Sequence, residues 1–410
     1  APVDNPLKGL VPYVGASGKG QFPYAMEFRY FAWRDLMTGP DEYNWASLEK
    51  TLDEVSGRGK QLVFRVYAEY PNKGVGIPGF LVNEGVHLSR WQSKEAFGGG
   101  HVATPDYRNP KLRAAMRRFI AALGTKYDGD PRVGFITAGM LGLWGEWHNY
   151  PMEHLWASEE VQDEVMTAYE KAFKKTKILL RYPAGEDAWK KAPNAKRAFG
   201  YHDDSFAWAT LDTGAKKDSW YFLTAMKAAG AEEKWKRFPI GGEIRPELWK
   251  RSFTSSPHPG GQDFTECVRR THVSWLMDSG LFDVRFPLAP ERKERAMQEV
   301  GRMGYELHVS EMRIENEELV VVVENRGVAP FYYDWPVEVR YEAPKVRTRP
   351  VFPEWKLSEV LPGKPVEWRM PIGASSDVTV RMRVANPMKG GKPLHFANAG
   401  CEGAWLVGRL

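Results

Sequence analysis

The sequence predicts an α/β fold, a (β/α)8 TIM barrel, followed by a C-terminal β-sandwich domain. Short apolar runs alternate with longer amphipathic segments up to about residue 303, which is typical of parallel strands joined by helices. From residue 304, short strand-like runs stand between Gly, Pro and Asn, and no segment of helix length follows. A chain of 410 residues exceeds what one hydrophobic core usually organises, so we expect two domains, 1–303 and 304–410.

Eight strands are predicted in the first domain. Their segments are 9–14, 25–33, 61–71, 134–141, 177–183, 197–206, 237–247 and 271–280. Helices are predicted at 44–60 and 109–127, Ser158 is the expected N-cap of a third helix, and a Gly-rich connection is predicted at 91–107. This alternation favours a (β/α)8 barrel, with an open doubly wound sheet as the alternative.

The second domain has the pattern of a β-sandwich of the immunoglobulin-like kind. Its strand-like runs are 305–316, 318–327, 336–343, 365–371, 377–386 and 403–410. Alternating or β-branched runs bounded by turn residues are typical of sandwich strands. We expect an accessory domain that packs on the barrel or contacts the substrate.

Composition argues against several classes of function. The 57 Lys and Arg residues nearly balance 52 Asp and Glu, without a basic stripe for nucleic acid. No apolar run approaches the roughly 18 residues that span a bilayer. The two cysteines, Cys267 and Cys401, cannot form a disulfide framework. The chain begins at Ala1, which favours a secreted or periplasmic protein whose signal peptide has been removed.

Two glutamates follow predicted strands at the end where a barrel carries its functional groups. Glu146 follows the fourth strand in "GLWGEWH", and Glu243 follows the seventh in "PIGGEI". Glycoside hydrolysis needs one carboxyl group that protonates the leaving oxygen and another that attacks the anomeric carbon or activates water. The sequence therefore favours hydrolysis of an oligosaccharide or polysaccharide, with the carboxyl groups about 5 to 5.5 Å apart if configuration is retained.

The two glutamates are expected to have different roles. Glu146 suits the acid/base, because Trp144 and Trp147 would disfavour its charged form and raise its pKa. Glu243 suits the nucleophile, because the two glycines before it allow close approach of substrate.

Residues near the predicted strand ends supply the candidate substrate contacts. Aromatic residues make up 13% of the chain, and a flat ring can pack on the apolar face of a sugar. The candidate stacking residues are Trp33, Tyr67, Trp144, Trp147, Tyr201 and Trp275. The candidate polar contacts are Arg29, Arg65, Arg181, His148, His202, Asp203 and Asp278. Burial in the barrel is the competing interpretation for each aromatic residue, and about half are expected to be core.

No catalytic metal or cofactor is expected from the motifs. The "HDD" run at 202–204 has metal-ligand residue types, but neighbours in a strand point to opposite faces. The "GASGKG" run at 15–20 lacks the spacing of a phosphate loop. The chain has no His-Glu-x-x-His motif, no paired cysteines and no Gly-x-Ser-x-Gly elbow.

Two passages resemble clan A glycoside hydrolases, especially family 42 β-galactosidases. They are "RYFAWRDLMTGPDEYNWASLEKTLDEVSGRGKQLVFRV" and "NPKLRAAMRRFIAALGTKYDGDPRVGFITAGMLGLWGE". The resemblance implies an acid/base Glu after strand four and a nucleophile Glu after strand seven, here Glu146 and Glu243. Members of that clan usually have Asn before the acid/base Glu, where this chain has Gly145; His148 or His202 could replace its contact with the sugar.

The whole chain is similar to a bacterial group of paired domains of unknown function. The shared runs are "NPLKG", "GLWGEWH", "GYHDDSF", "GGEI" and "VVVENRGVAPFYYDWPVEV". The similarity implies a carbohydrate enzyme of barrel and sandwich, without naming a substrate. Two other functions stay open: a carbohydrate-binding protein without turnover, favoured by Gly145, and a polysaccharide lyase acting on uronic acids. Arg29, Arg65 and Arg181 are compatible with an acidic or sulfated sugar, and the oligomeric state is not set by the sequence.

Overall fold

The computed structural model describes residues 1–93, 100–185, 190–343 and 350–410. Up to residue 303 the strands are β1 (Gly9–Val11), β2 (Met26–Ala32), β3 (Met37–Gly39), β4 (Glu42–Tyr43), β5 (Gln61–Tyr67), β6 (Leu88–Ser93), β7 (Gly100–Pro105), β8 (Val133–Thr137), β9 (Ile178–Leu180), β10 (Gly200–Phe206), β11 (Ile240–Ile244) and β12 (Val273–Met277). The helices are α1 (Trp33–Leu36), α2 (Ala46–Gly57), α3 (Gly79–Asn83), α4 (Pro110–Tyr127), α5 (Glu159–Ala172), α6 (Phe222–Ala228), α7 (Phe264–Thr271) and α8 (Pro290–Gly301).

Eight of these strands form one parallel sheet. Their order is β1-β12-β11-β10-β9-β8-β5-β2. Read from β2 to β12, the strands are neighbours in the order in which they occur along the chain, and β1 lies next to β12. The first strand pairs in parallel with the last, with Gly9 opposite Trp275 and Val11 opposite Met277. An open doubly wound sheet would reverse its strand order part-way. The order observed is that of a (β/α)8 barrel, which confirms the predicted α/β class and the eight parallel strands.

The chain divides into two compact units. The first comprises Ala1–Met26, Ser56–Lys60 and Lys234–Leu410, and the second comprises Glu27–Val55 and Gln61–Glu233. In the second unit, β5 and β8 are buried along their whole length. Such strands are typical of parallel sheets that are covered on both faces.

The helices α4 and α5 of the second unit begin at capping residues. Asn109 Oδ1 accepts hydrogen bonds from the backbone N–H groups of Lys111 (2.9 Å) and Leu112 (3.4 Å). Ser158 Oγ accepts one from the N–H of Val161 (3.4 Å), as the sequence predicts. In the described part of the chain, no helix combines the length and the apolar character that crossing a membrane requires.

The connection predicted at 91–107 overlaps two strands that the sequence did not indicate. Strands β6 and β7 pair antiparallel there, with Trp91 opposite Val102. Residues 94–99, which contain most of the predicted Gly-rich run, lie outside the described residues. Polar and apolar residues do not alternate regularly in LSRWQS and GHVATP, so the sequence shows no strand period there.

The C-terminal part of the first unit contains two small antiparallel sheets. The additional strands are β13 (Leu307–Glu315), β14 (Glu318–Asn325), β15 (Val337–Glu342), β16 (Val366–Pro371), β17 (Thr379–Val384) and β18 (Leu406–Arg409). One sheet has the order β13-β14-β16 and the other has the order β15-β17-β18. Each predicted run contains one strand, while the assembly of both sheets into a sandwich and the boundary at residue 303 stay predictions.

Candidate active site

Arg65, the charged residue of β5, organises a group of polar side chains in the second unit. Its side chain is fully buried. Nε donates to Thr137 Oγ1 at the end of β8 (2.9 Å), Nη1 to Glu146 Oε1 (3.2 Å) and Nη2 to Asp204 Oδ1 on β10 (3.3 Å). A buried guanidinium is stable only when such partners satisfy its donors. We call Arg65, Glu146, Arg181, His202 and Asp204 the Arg65 cluster.

Of the two carboxyl groups in this cluster, Glu146 has the higher pKa. Its side chain is 12% exposed. Burial and the neighbouring charge of Asp204 raise its pKa to about 7, against the opposing effect of Arg65. A carboxyl group with this pKa exchanges its proton near neutral pH, as a general acid requires.

Asp204 has the opposite electrostatic environment. Its Oδ1 lies 2.9 Å from His202 Nδ1, and its Oδ2 accepts from Arg181 Nε at 2.7 Å. Burial alone would raise the pKa of Asp204, but His202, Arg65 and Arg181 together hold it far below its usual range. Oxygens of Asp204 and Glu146 lie within 4.8 Å of each other. Two close carboxyl groups are thus driven to different protonation states, which is a common arrangement in acid/base sites.

The loop that carries Glu146 explains why the chain has Gly145 before it. Gly145 has a φ of +72°, a conformation that disfavours residues with a side chain. A Cβ atom at this position would lie 3.0 Å from Gly139 Cα and 3.2 Å from Arg65 Cδ. A residue with a side chain would therefore be strained here, and either Gly139 or the stem of Arg65 would have to shift to accommodate it.

His148 adds an uncharged imidazole beside Glu146. The backbone N–H of Tyr150 donates to His148 Nδ1 (3.3 Å), which leaves the proton of a neutral ring on Nε2. That Nε2 lies 3.6 Å from Glu146 Oε2. Burial, and then the charges of Arg181 and Lys191, lower the pKa of His148 well below its usual value. His148 is therefore neutral at pH 7.

Comparisons with known proteins leave the chain without an assigned family. No family model and no curated protein matches it. Among solved structures, it is similar to the selenomethionine-labelled β-glucosidase from Kluyveromyces marxianus, with 13% sequence identity and a TM-score of 0.15. The match covers 76% of this chain and 36% of that one, so the chain spans about a third of the length of that β-glucosidase. A similarity of this size assigns no activity.

Besides His148 and Asp278, two predicted polar contacts lie outside the Arg65 cluster, namely Asp203 and Arg29. Asp203 accepts hydrogen bonds from Thr210 Oγ1 (2.6 Å) and from the backbone N–H of Ser205 (3.0 Å), and burial raises its pKa to about 7. Arg29 is exposed and donates to Thr51 Oγ1 on α2 (2.9 Å). Of the two aspartates in the "HDD" run, Asp203 was expected to contact the substrate, yet Asp204 lies in the cluster. Because side chains alternate along a strand, residue 204 shares a face with His202.

Most of the predicted stacking residues are core residues. Side chains at most 3% exposed are those of Trp33, Trp147, Tyr201 and Trp275. Trp147 Nε1 donates to the carbonyl oxygen of Ala138 (2.9 Å), so its ring is directed into the protein. Trp144 is partly exposed and contacts Tyr70 with a centroid distance of 6.3 Å.

The first unit contains the other two predicted acids. Glu243, in β11, is 6% exposed, and Tyr13 OH donates to its Oε1 at 3.5 Å. Asp278 follows β12 and accepts hydrogen bonds from the backbone N–H groups of Gly280 (2.8 Å) and Leu281 (3.3 Å). Burial raises the pKa of Asp278 to about 6. Asp278 thus fixes the turn after β12.

A fully buried glutamate, Glu69, fixes the loop that carries Glu146. It accepts hydrogen bonds from Thr104 Oγ1 (2.5 Å), Tyr107 OH (2.5 Å) and Asn149 Nδ2 (3.0 Å). Tyr107 OH in turn accepts from the backbone N–H of Gly142 (2.9 Å). Glu69 therefore holds both ends of the segment 142–149, one directly through Asn149 and the other through Tyr107.

Glu69→Gln should loosen this loop, because an amide cannot accept all three hydrogen bonds. We expect the free energy of unfolding to fall by about 1–3 kcal/mol, as for other unsatisfied buried groups. Backbone amides in 142–149 should exchange hydrogen faster. Thr104→Val, which removes one of the three hydrogen bonds to Glu69 and also the acceptor of Trp91 Nε1, should have a smaller effect on these amides. Unchanged exchange in Glu69→Gln would contradict this role.

Proposed function

We propose that the protein is a retaining glycoside hydrolase with Glu146 as its acid/base. The observation that carries the proposal is the state of Glu146: a buried carboxyl group with a pKa of about 7, next to an ionised Asp204. Donation of a proton to a glycosidic oxygen needs a carboxyl group that is still protonated near neutral pH. Burial and the charge of Asp204 raise this pKa, and the hydrogen bond from Arg65 Nη1 holds the side chain in place.

Glu243 is the proposed nucleophile. Its position in β11 and its burial support this role. In the first step, Glu243 attacks the anomeric carbon while Glu146 protonates the departing oxygen. In the second step, Glu146 removes a proton from water, which attacks the same carbon and releases Glu243. Two displacements at one carbon retain its configuration.

Aromatic rings near Glu146 support a carbohydrate substrate. Tyr70 lies 5.5 Å from Tyr30, 5.0 Å from Tyr67 and 6.3 Å from Trp144, measured between ring centroids. Tyr30, Tyr70 and Trp144 are partly exposed, so their faces can receive a sugar ring. Within the proposed division, the barrel of residues 1–303 is catalytic and residues 304–410 form the accessory domain.

A panel of aryl glycosides and polysaccharides tests the proposed function. Release of a reducing sugar by the wild type, and its loss in Glu146→Gln, is the expected result. Two rivals give other results. A carbohydrate-binding protein would bind without turnover, and equally well in Glu146→Gln, whereas a lyase would release an unsaturated product that absorbs in the ultraviolet.

The pH dependence should follow the proton of Glu146. Because the acid form is required and its pKa is about 7, kcat/KM should fall as the pH rises above about 7. Asp204→Asn removes a negative charge that raises this pKa, so the alkaline limb should move to lower pH. Asp203→Asn is the matched control, since Asp203 bonds Thr210 and Ser205 instead of Arg65. If the alkaline limb of the pH profile is the same in Asp204→Asn as in the wild type, Asp204 does not have this electrostatic role.

A further inference from the structure

Lys191 is a buried amine that the proposed mechanism does not use. It is 6% exposed, and in the described part of the chain its Nζ has no hydrogen-bond partner. Nζ lies 4.4 Å from the ring centroid of Trp156 and 5.3 Å from that of Tyr182. Burial, and then the charge of Arg181, lower the pKa of Lys191 well below its usual value. A buried amine without a polar partner is costly, so an anion that joined it would be stabilised.

The backbone around Lys191 is rigidly held. Gln162 Nε2 donates to the carbonyl oxygen of Lys190 (3.0 Å), and Gln162 Oε1 accepts from the N–H of Ala192 (2.9 Å). Asn194 Nδ2 donates to the carbonyl oxygen of Tyr182 (2.9 Å). The backbone on both sides of Lys191, and that of Tyr182, is therefore fixed before a ligand binds, which lowers the entropy cost of binding.

Arg181 lies against the same Tyr182 ring, with its guanidinium carbon 4.6 Å from the ring centroid. Its Nε pairs with Asp204 at 2.7 Å, and its side chain is 13% exposed. When Glu146 is protonated, the Arg65 cluster has two guanidinium groups and one carboxylate. The Arg65 cluster therefore has an excess of positive charge beside the proposed acid.

We infer that Arg181 and Lys191 form a subsite for the carboxylate of a uronic acid residue in the substrate. The terminal nitrogens of a guanidinium match the two oxygens of a carboxylate, and a lysine on a flexible stem can turn towards it. Trp156, whose ring lies 6.4 Å from that of Trp147, connects this subsite to the loop of Glu146. The inference rests on the proposed function, because it names the sugar that occupies the same site.

Equilibrium binding to charged and uncharged forms of one oligosaccharide tests the subsite. The probes are oligomers of galacturonic, glucuronic and mannuronic acid, each paired with its methyl ester, and the protein is the full chain with Glu146→Gln to prevent turnover. At least one acid should bind about tenfold to a hundredfold more tightly than its ester, as expected for a charge-assisted hydrogen bond. Adding Lys191→Met should remove this preference and leave ester binding unchanged.

The subsite would be overturned if no acid binds better than its ester, or if Lys191→Met keeps the preference. Tighter binding of a sulfated galactan oligosaccharide than of every uronate would also overturn the assignment to a carboxylate. Thermal unfolding checks that Lys191→Met is folded. If it is not, Lys191→Gln, which also removes the charge, replaces it in the binding assay.

Hydrolysis assays on the protein that retains Glu146 separate this inference from the proposed function. Hydrolysis of neutral glycans alone, unaffected by Lys191→Met, would overturn the subsite and leave the hydrolase. Lys191-dependent binding of uronates without any hydrolysis would support the subsite and contradict the hydrolase.

Discussion

Glu146→Ala should lower kcat/KM about a hundredfold to ten-thousandfold for glycosides with poor leaving groups, because proton donation to the leaving oxygen is lost. Aryl glycosides with an acidic phenol need little protonation, so their first step should be affected least. Added azide should then restore turnover, since it needs no general base to attack the glycosyl-enzyme. The product should be a glycosyl azide with the configuration of the substrate, identified by NMR.

The same experiment on Glu243→Ala distinguishes the two carboxyl groups. Without the nucleophile, azide can enter the vacated space and attack the substrate directly, which inverts the anomeric configuration. Opposite azide products from the two variants are therefore the expected result. Glu247→Gln is the control, because Glu247 is an exposed acid that pairs with Arg245 at 2.8 Å. Equal products from both variants, or inversion by the wild type, would contradict the retaining mechanism.

The parallel sheet was predictable because its strands are apolar and regularly spaced. Strands such as β8, with the sequence VGFIT, are recognisable without any partner. The pairing of β6 and β7 was not, since their sequences LSRWQS and GHVATP mix polar and apolar residues without a clear period of two. Pattern alone identifies a strand only where one or both faces are buried.

The site was predictable only as far as position along a strand determines it. Glu146 and Arg65 were selected because functional groups stand at the carboxyl ends of barrel strands, and the structure brings the two side chains together. Trp33 and Tyr201 were selected by the same rule but are core residues, because an aromatic residue near a strand end has the same sequence signal in a cleft and in a core. Glu69 and Asn149 are 80 positions apart, so their hydrogen bond depends on tertiary structure that no local pattern reveals.

Arg65→Met should destabilise the protein by about 3–5 kcal/mol, as for the loss of one partner from a buried ion pair. Arg65 is the cation shared by Glu146 and Asp204, and Thr137 would also lose its donor. Urea unfolding at several pH values measures the effect. The pKa of Asp204 in the folded protein is held below its unfolded value, so this carboxylate stabilises the wild type above about pH 4 and loses that effect on acidification. The difference between wild type and variant should therefore be largest near pH 7 and shrink towards pH 3.

Adding Asp204→Asn to Arg65→Met separates lost electrostatics from lost packing. If the cost comes from an uncompensated carboxylate, neutralising residue 204 should recover about 1–3 kcal/mol, and the two substitutions will not be additive. Arg65→Lys retains the charge but cannot donate to Thr137, Glu146 and Asp204 in one plane, so its loss should lie between zero and that of Arg65→Met. Additive losses with no pH dependence would mean that Arg65 acts through packing of its stem.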